Sequence, residues 1–220
     1  MRRARLELAP IETQLLPAGD PRAAALAVDL LAGGEPVAFP TDTVYGVGAH
    51  ALLPGAVERL FLVKERPGRL AIPLLLADVD SISAVCVGVP DAAWELARRF
   101  WPGALSLVLR RSPLVPDIVT SGGCTVAVRV PDHALVREIC SRLGAPLAAT
   151  SANIHGWPDP LTASAAFGSL GGRIPLILDG GTSPGGMPST LLDLTVAHPV
   201  ILRAGPITAE QLAQVLGKAF

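Results

Sequence analysis

Cysteine, aromatic side chains and net charge are all scarce in this chain, and each scarcity closes off a class of function. The three cysteines, Cys86, Cys124 and Cys140, are odd in number, widely spaced and without a CxxC pair, so they outline neither a disulfide framework nor a zinc site. Set in apolar sequence, they read as buried, reduced thiols. The four histidines, at positions 50, 133, 155 and 198, are equally dispersed and show no HExxH spacing, so no structural metal is expected. A formal net charge of -1 and a pI near 6.4 mark neither a nucleic-acid nor a membrane-surface protein, so any basic site has to be local. Aromatic residues make up only 4% of the chain, which argues further against RNA binding as the main role. No apolar run reaches bilayer length, and the opening MRRARLELAP lacks the apolar core of a signal peptide, so the expected location is the cytoplasm.

What is present is a large apolar fraction. Half the residues are hydrophobic, ample for a substantial core, and 220 residues suit one large domain or one domain with a small appendage. The 22 glycines and 21 prolines are scattered without tract or repeat, marking many turns and not disorder. Arg5 to Leu8 suits a short edge strand. A helix is predicted over Pro21 to Leu31, capped by Asp20 and stopped by Gly33-Gly34. Others are predicted over Pro54 to Glu65, Pro90 to Phe100, Asp132 to Leu143 with Asp132 as cap, Leu161 to Leu170, and from a Thr208 cap through Leu216. Short apolar runs at 36–39, 72–76, 104–109, 125–130, 146–149, 174–178, 190–194 and 200–202 read as strands. Trp94, Phe100 and Trp101 read as packing residues. The alternation gives an α/β domain with a mixed, twisted sheet whose strand order the pattern does not set.

The chemistry gathers at strand ends. PTDTVYGVG, Pro40 to Gly48, sets hydroxyls, the Asp42 carboxylate and the single tyrosine behind an apolar run, and its two glycines would let the backbone approach a ligand. A plain Thr/Asp/Gly turn accounts for the same residues. TSAN, Thr150 to Asn153, offers hydroxyl and amide groups, again as a binding loop or an Asx/ST turn. Lys64 and Arg66 fall at a predicted helix end, where attraction between cations and the helix C-terminus is a sufficient structural reason for both. Arg129 interrupts an apolar strand, so it is either half of a structural salt bridge or a group for an anion. GTSPG at 181–185 spells GxSxG but runs into a glycine-rich loop, Ser183 to Met187, with a strand and no helix expected after it, so no nucleophile elbow is expected, and no Walker A loop is present.

Taken together, PTDTVYGVG, KERP at 64–67, VAVRVPDH at 126–133, TSAN, ILDGG at 177–181, PSTLLDLT at 188–195 and ILRAGPIT at 201–208 resemble the YrdC/Sua5 family of threonylcarbamoyl-AMP synthases. The resemblance runs in order over roughly residues 20 to 210. It implies a YrdC-like twisted mixed sheet flanked by helices around a concave basic cavity, in the short single-domain form. The expected divisions are an N-terminal extension over 1–19, the catalytic domain over 20–210 and the end of the last helix over 211–220.

The family resemblance further implies that L-threonine and bicarbonate form an N-carboxy-threonine whose carboxylate attacks the α-phosphate of ATP, releasing pyrophosphate. The product serves t6A formation at adenosine 37 of tRNA through a separate transferase complex, so both are implied partners. Lys64 and Arg66 match the KxR motif and are the implied catalytic cations. Thr43, Tyr45, Arg129 and Ser151 would hold threonine and carbamate. Lys64, Arg66, Ser151, Asn153, Ser189 and Arg203 would hold ATP. Mg²⁺ would be carried by ATP phosphates, with no protein metal ligands. The chain departs from the family pattern at Gly68-Arg69-Leu70-Ala71, which loses a phosphate contact or moves it to Arg69, and at Pro188, where a glutamate is frequent. Two other readings fit the same residues: a noncatalytic double-stranded RNA or tRNA-binding module, and a carbamoyl-transfer domain like that of hydrogenase-maturation proteins.

Overall fold

The computed structural model describes residues 10–67 and 70–217. The suggested edge strand at Arg5 to Leu8 and the phosphate role of Arg69 lie outside these. In chain order the elements are β1 (Gln14–Pro17), α1 (Ala23–Ala32), β2 (Val37–Phe39), β3 (Gly46–His50), α2 (Pro54–Val63), β4 (Leu74–Leu75), α3 (Ile82–Val85), α4 (Asp91–Phe100) and β5 (Leu105–Arg110). Then follow α5 (Asp117–Thr120), β6 (Thr125–Arg129), α6 (Ala134–Leu143), β7 (Leu147–Ser151), α7 (Ala163–Leu170), β8 (Leu176–Asp179), β9 (Thr190–Asp193), β10 (Val200–Arg203) and α8 (Ala209–Leu216).

The ten strands form one mixed sheet in the order β1-β8-β2-β3-β7-β4-β6-β5-β9-β10. Its strands are apolar on both sides because both faces are covered, and the side-chain period of two sorts them. Val37 and Phe39 pack with α1 and α6, while Ala38 between them joins the other core with α2, α4 and α7; Leu147, Ala148 and Ala149 divide in the same way. No helix among the described residues is long and apolar enough to cross a membrane.

Several expectations are corrected. Gly46 and Gly48 do not form a loop exit but lie inside β3, and a Cβ on either would stand 3.0 Å from the Phe39 ring of the neighbouring strand. The bulk of Phe39 is a sufficient reason for both glycines, and of the two only Gly46 also lines a cavity. Asp132 does not cap α6; its backbone N–H donates to Asp42 Oδ1, at 3.2 Å, and His133 occupies the cap position. Asp20 acts one residue ahead of the expected helix start, accepting the Arg22 N–H at 2.8 Å, and α1 begins at Ala23. Cys124 is exposed, unlike Cys86 and Cys140, whose thiols burial pushes up to about 12. β1 precedes residue 20 and pairs in parallel with β8. Thr208 does cap the last helix, reciprocally with Gln211.

Candidate functional site

The antiparallel pairing of β3 with β7 sets Gly46 opposite Ser151 and Val47 opposite Thr150, so the two polar stretches leave the sheet side by side. The parallel pair β4–β6 adds Arg129 opposite Leu75. Between them opens a cavity of about 480 Å³, whose polar lining includes Thr41, Thr43, Arg66, Arg129, Thr150, Ser151, Asp159, Ser189 and Arg203 and whose apolar wall includes Val108, Val126, Leu191 and Leu202. Among the expected site residues, Thr43, Arg66, Arg129, Ser151, Ser189 and Arg203 line it, whereas Tyr45, Lys64 and Asn153 do not.

Tyr45 is fully buried. Its hydroxyl donates to the Gly181 carbonyl at 2.7 Å and accepts the Gly180 N–H at 3.1 Å, while its backbone N–H donates to the Pro160 carbonyl at 2.8 Å. The phenol therefore fastens the 40–45 loop to the end of β8 from behind the cavity wall. The fit extends along the loop: a Cβ on Gly180 would come within 2.6 Å of Pro40 Cγ, and one on Gly185 would overlap the Thr43 backbone. Tyr45 shapes the pocket without facing it.

Arg129 is half of a structural salt bridge, and it also lines the cavity. It is 6% exposed, and one terminal nitrogen donates to both Asp42 oxygens at 2.6 Å. Its Nε donates to the Gly103 carbonyl at 2.8 Å and the other terminal nitrogen to Thr43 Oγ1 at 3.3 Å. A guanidinium has five N–H groups; four bind Asp42, Thr43 and Gly103, and one is left without a partner among the described residues. Burial lowers the Arg129 pKa, and Asp42 opposes that shift. Asp42 thus anchors the loop through the arginine.

Lys64 and Arg66 flank Glu65, a non-glycine residue at φ 52° that turns the chain after α2; neither sits in the last helical turn. The Lys64 ammonium is enclosed and donates to the carbonyls of Ser151 and Asn153, the latter at 2.6 Å, and to Asn153 Oδ1 at 3.3 Å. Its three N–H groups thus face three oxygens, and it can reach a ligand only by releasing one. Asn153 is likewise committed: its Oδ1 accepts from Ser151 Oγ at 2.6 Å and its Nδ2 donates to the Trp157 carbonyl. Arg66 is different. It donates to the Ala71 carbonyl at 3.1 Å and distantly to Thr150 Oγ1 at 3.4 Å, while its buried Nε has no partner among the described residues. A buried N–H without an acceptor beside a cavity is a group prepared for one.

Burial, then the adjacent Arg66, draw the Lys64 pKa from 10.5 to about 7, with Asp159 opposing. Between those values the unfolded chain binds more protons than the folded one, so this lysine makes stability rise with pH from about 7 to 10.5. Lys64→Met is expected to flatten that rise. Urea unfolding of both proteins at the two ends of the window checks it, and equal slopes would contradict the assignment.

On the far side, Arg203 donates from Nε to the Ser189 carbonyl at 3.0 Å and from a terminal nitrogen to Ser189 Oγ at 3.1 Å, and Ser189 Oγ shares a 2.8 Å bond with Ser106 Oγ. Sequence reading missed Ser106, Thr41 and Asp159. Ser106 had a signal, being the polar position in the apolar run LSLVL and buried in the structure. Asp159, in a Pro-flanked loop, had none. Among the described residues no group of three or more His, Cys, Asp or Glu side chains could hold a metal ion.

The sequence model of the Sua5/YciO/YrdC family, described as telomere recombination, matches residues 29–205. The chain is 41% identical over 193 residues to a threonylcarbamoyl-AMP synthase of Pyrococcus abyssi, covering 88% of this chain and 57% of that protein. It is 42% identical over 209 residues to one of Bacillus subtilis, covering 93% of this chain and 59% of that protein. The crystal structure of P. abyssi Sua5 complexed with L-threonine superposes with a TM-score of 0.91 at 38% identity, covering 94% of this chain and 62% of the other.

Proposed function

The chain belongs to the Sua5/YciO/YrdC family, and from that premise we propose that it is an L-threonylcarbamoyladenylate synthase that joins L-threonine, bicarbonate and ATP. One observation carries the proposal most: a single cavity sets three guanidinium groups, those of Arg66, Arg129 and Arg203, around the hydroxyls of Thr43 and Ser151. Such a site suits a polyanionic nucleotide beside a small amino acid. The P. abyssi protein bound to L-threonine supplies the precedent for the amino acid.

In this mechanism the threonine nitrogen loses its proton and combines with bicarbonate, giving the N-carboxylate and water. A carbamate oxygen then attacks the α-phosphorus, and the bond to the pyrophosphate oxygen breaks. No protein nucleophile takes part. Arg66 and Arg203 would meet phosphate oxygens, where charge builds as pyrophosphate leaves, with Ser189 holding Arg203 in place. Thr43, Ser151 and the remaining Arg129 N–H would hold the amino acid and its carbamate. Lys64 and Asn153 would act from behind, fixing Ser151 and placing positive charge under it. Tyr45 would fix the loop that carries Thr43. A divalent cation would ride on the ATP phosphates with water completing its shell. Holding all three substrates in one cavity replaces encounters in solution and shields the mixed anhydride from water. The adenylate would then pass to a transferase acting on tRNA.

The assay is pyrophosphate release. It is expected to require threonine and bicarbonate together, and release of equal rate without threonine would overturn the proposal.

A further inference from the structure

The opening loop contains a buried hydroxyl pair whose hydrogens can be assigned one by one. Thr41 and Thr43 both line the cavity and are 6% and 5% exposed. Thr41 Oγ1 donates its hydrogen to the Val44 carbonyl at 2.7 Å. The same oxygen accepts the Thr43 N–H at 3.1 Å and stands 3.0 Å from Thr43 Oγ1. Because the Thr41 hydrogen is already committed, the hydrogen in the Thr41–Thr43 contact comes from Thr43. Thr43 Oγ1 also accepts from Arg129 at 3.3 Å. A hydroxyl has one hydrogen and two lone pairs, so Thr43 keeps one lone pair and no hydrogen for a ligand.

Ser151 follows the same logic, since its hydrogen goes to Asn153 Oδ1. Thr43, ahead of β3, and Ser151, at the end of β7, thus meet the cavity as acceptors, and the arginines supply the donors. We propose that Thr41 is a positioning residue for the amino-acid substrate: by taking the Thr43 hydrogen it fixes that oxygen as an acceptor for an N–H or O–H of the substrate. Its carboxylate is thereby turned toward the guanidinium groups. This rests on the synthase reading, which makes that substrate L-threonine.

The test separates the two. Wild-type protein that releases no pyrophosphate in response to threonine overturns the synthase reading whatever Thr41 does. Given an active wild type, Thr41→Val, which keeps the shape and removes the acceptor, is expected to raise KM for threonine on the order of tenfold. KM for ATP should stay within roughly twofold, and Thr41→Ser should restore the wild-type value. Thr41→Ala, which cannot clash, makes the same measurement should the valine variant not fold. L-2-aminobutyrate, which lacks the side-chain hydroxyl, locates the donor: an equal rise for both amino acids assigns the N–H, and a smaller rise for 2-aminobutyrate assigns the O–H. An unchanged threonine KM, a fall confined to kcat, or a parallel rise in both KM values would show Thr41 to be packing alone.

Discussion

Asp42→Ala lowers the unfolding free energy by about 3–5 kcal/mol, because it strands Arg129 as a buried guanidinium without its carboxylate. The pair is well enclosed, with 7% and 15% of the two side chains exposed, and both carboxylate oxygens are engaged. Solvent screening, which reduces most surface ion pairs to a fraction of this, has little access here. The same carboxylate also accepts the Asp132 N–H, so its removal loosens the entry to α6. Urea denaturation gives the number. The double variant Asp42→Ala with Arg129→Met should recover much of the loss, since it removes the orphaned charge as well; a single-variant loss under about 1 kcal/mol would place the pair with ordinary surface salt bridges.

Arg66→Ala is the opposite kind of change, with a large effect on turnover and a small one on folding. The side chain is only half-buried, its two protein contacts are one carbonyl and one distant hydroxyl, and its buried Nε has no partner among the described residues. Little is lost on folding when it is removed. If it meets phosphate oxygens as pyrophosphate departs, kcat/KM should fall by about 100- to 1000-fold, the range for deleting one preorganised donor to a developing charge. Arg66→Lys should recover only part, since a lysine cannot fork. Steady-state kinetics beside a melting curve decides: a near-normal rate with an intact fold removes Arg66 from the chemistry.

Much of the architecture was legible because the apolar runs are unambiguous: α4 spans Asp91–Phe100 against an expectation of Pro90 to Phe100, and β6 spans Thr125–Arg129 within the expected run. Strand order was not legible, because pairing depends on long-range packing and six of the nine neighbouring pairs join strands that are not consecutive in the chain. β3 was read as loop, since its glycines carry no β propensity; what admits them is the Phe39 ring across the pair, a partner visible only in three dimensions. The motifs named the residues around the cavity, but not which face it. Tyr45, Lys64 and Asn153 carry the chemistry-bearing groups of their motifs and spend them on the chain itself, and Asp42 does the same with Arg129. Thr41 and Ser106 carry unremarkable side chains that matter through their neighbours.

The most direct measurement is pyrophosphate release from ATP with threonine and bicarbonate omitted in turn, using carbon-labelled bicarbonate and mass analysis of the nucleotide product. Synthase chemistry predicts release only in the complete mixture and the label in an adenylate that also contains threonine. Release that ignores threonine, or salt-sensitive tRNA binding with no adenylate formed, would contradict it.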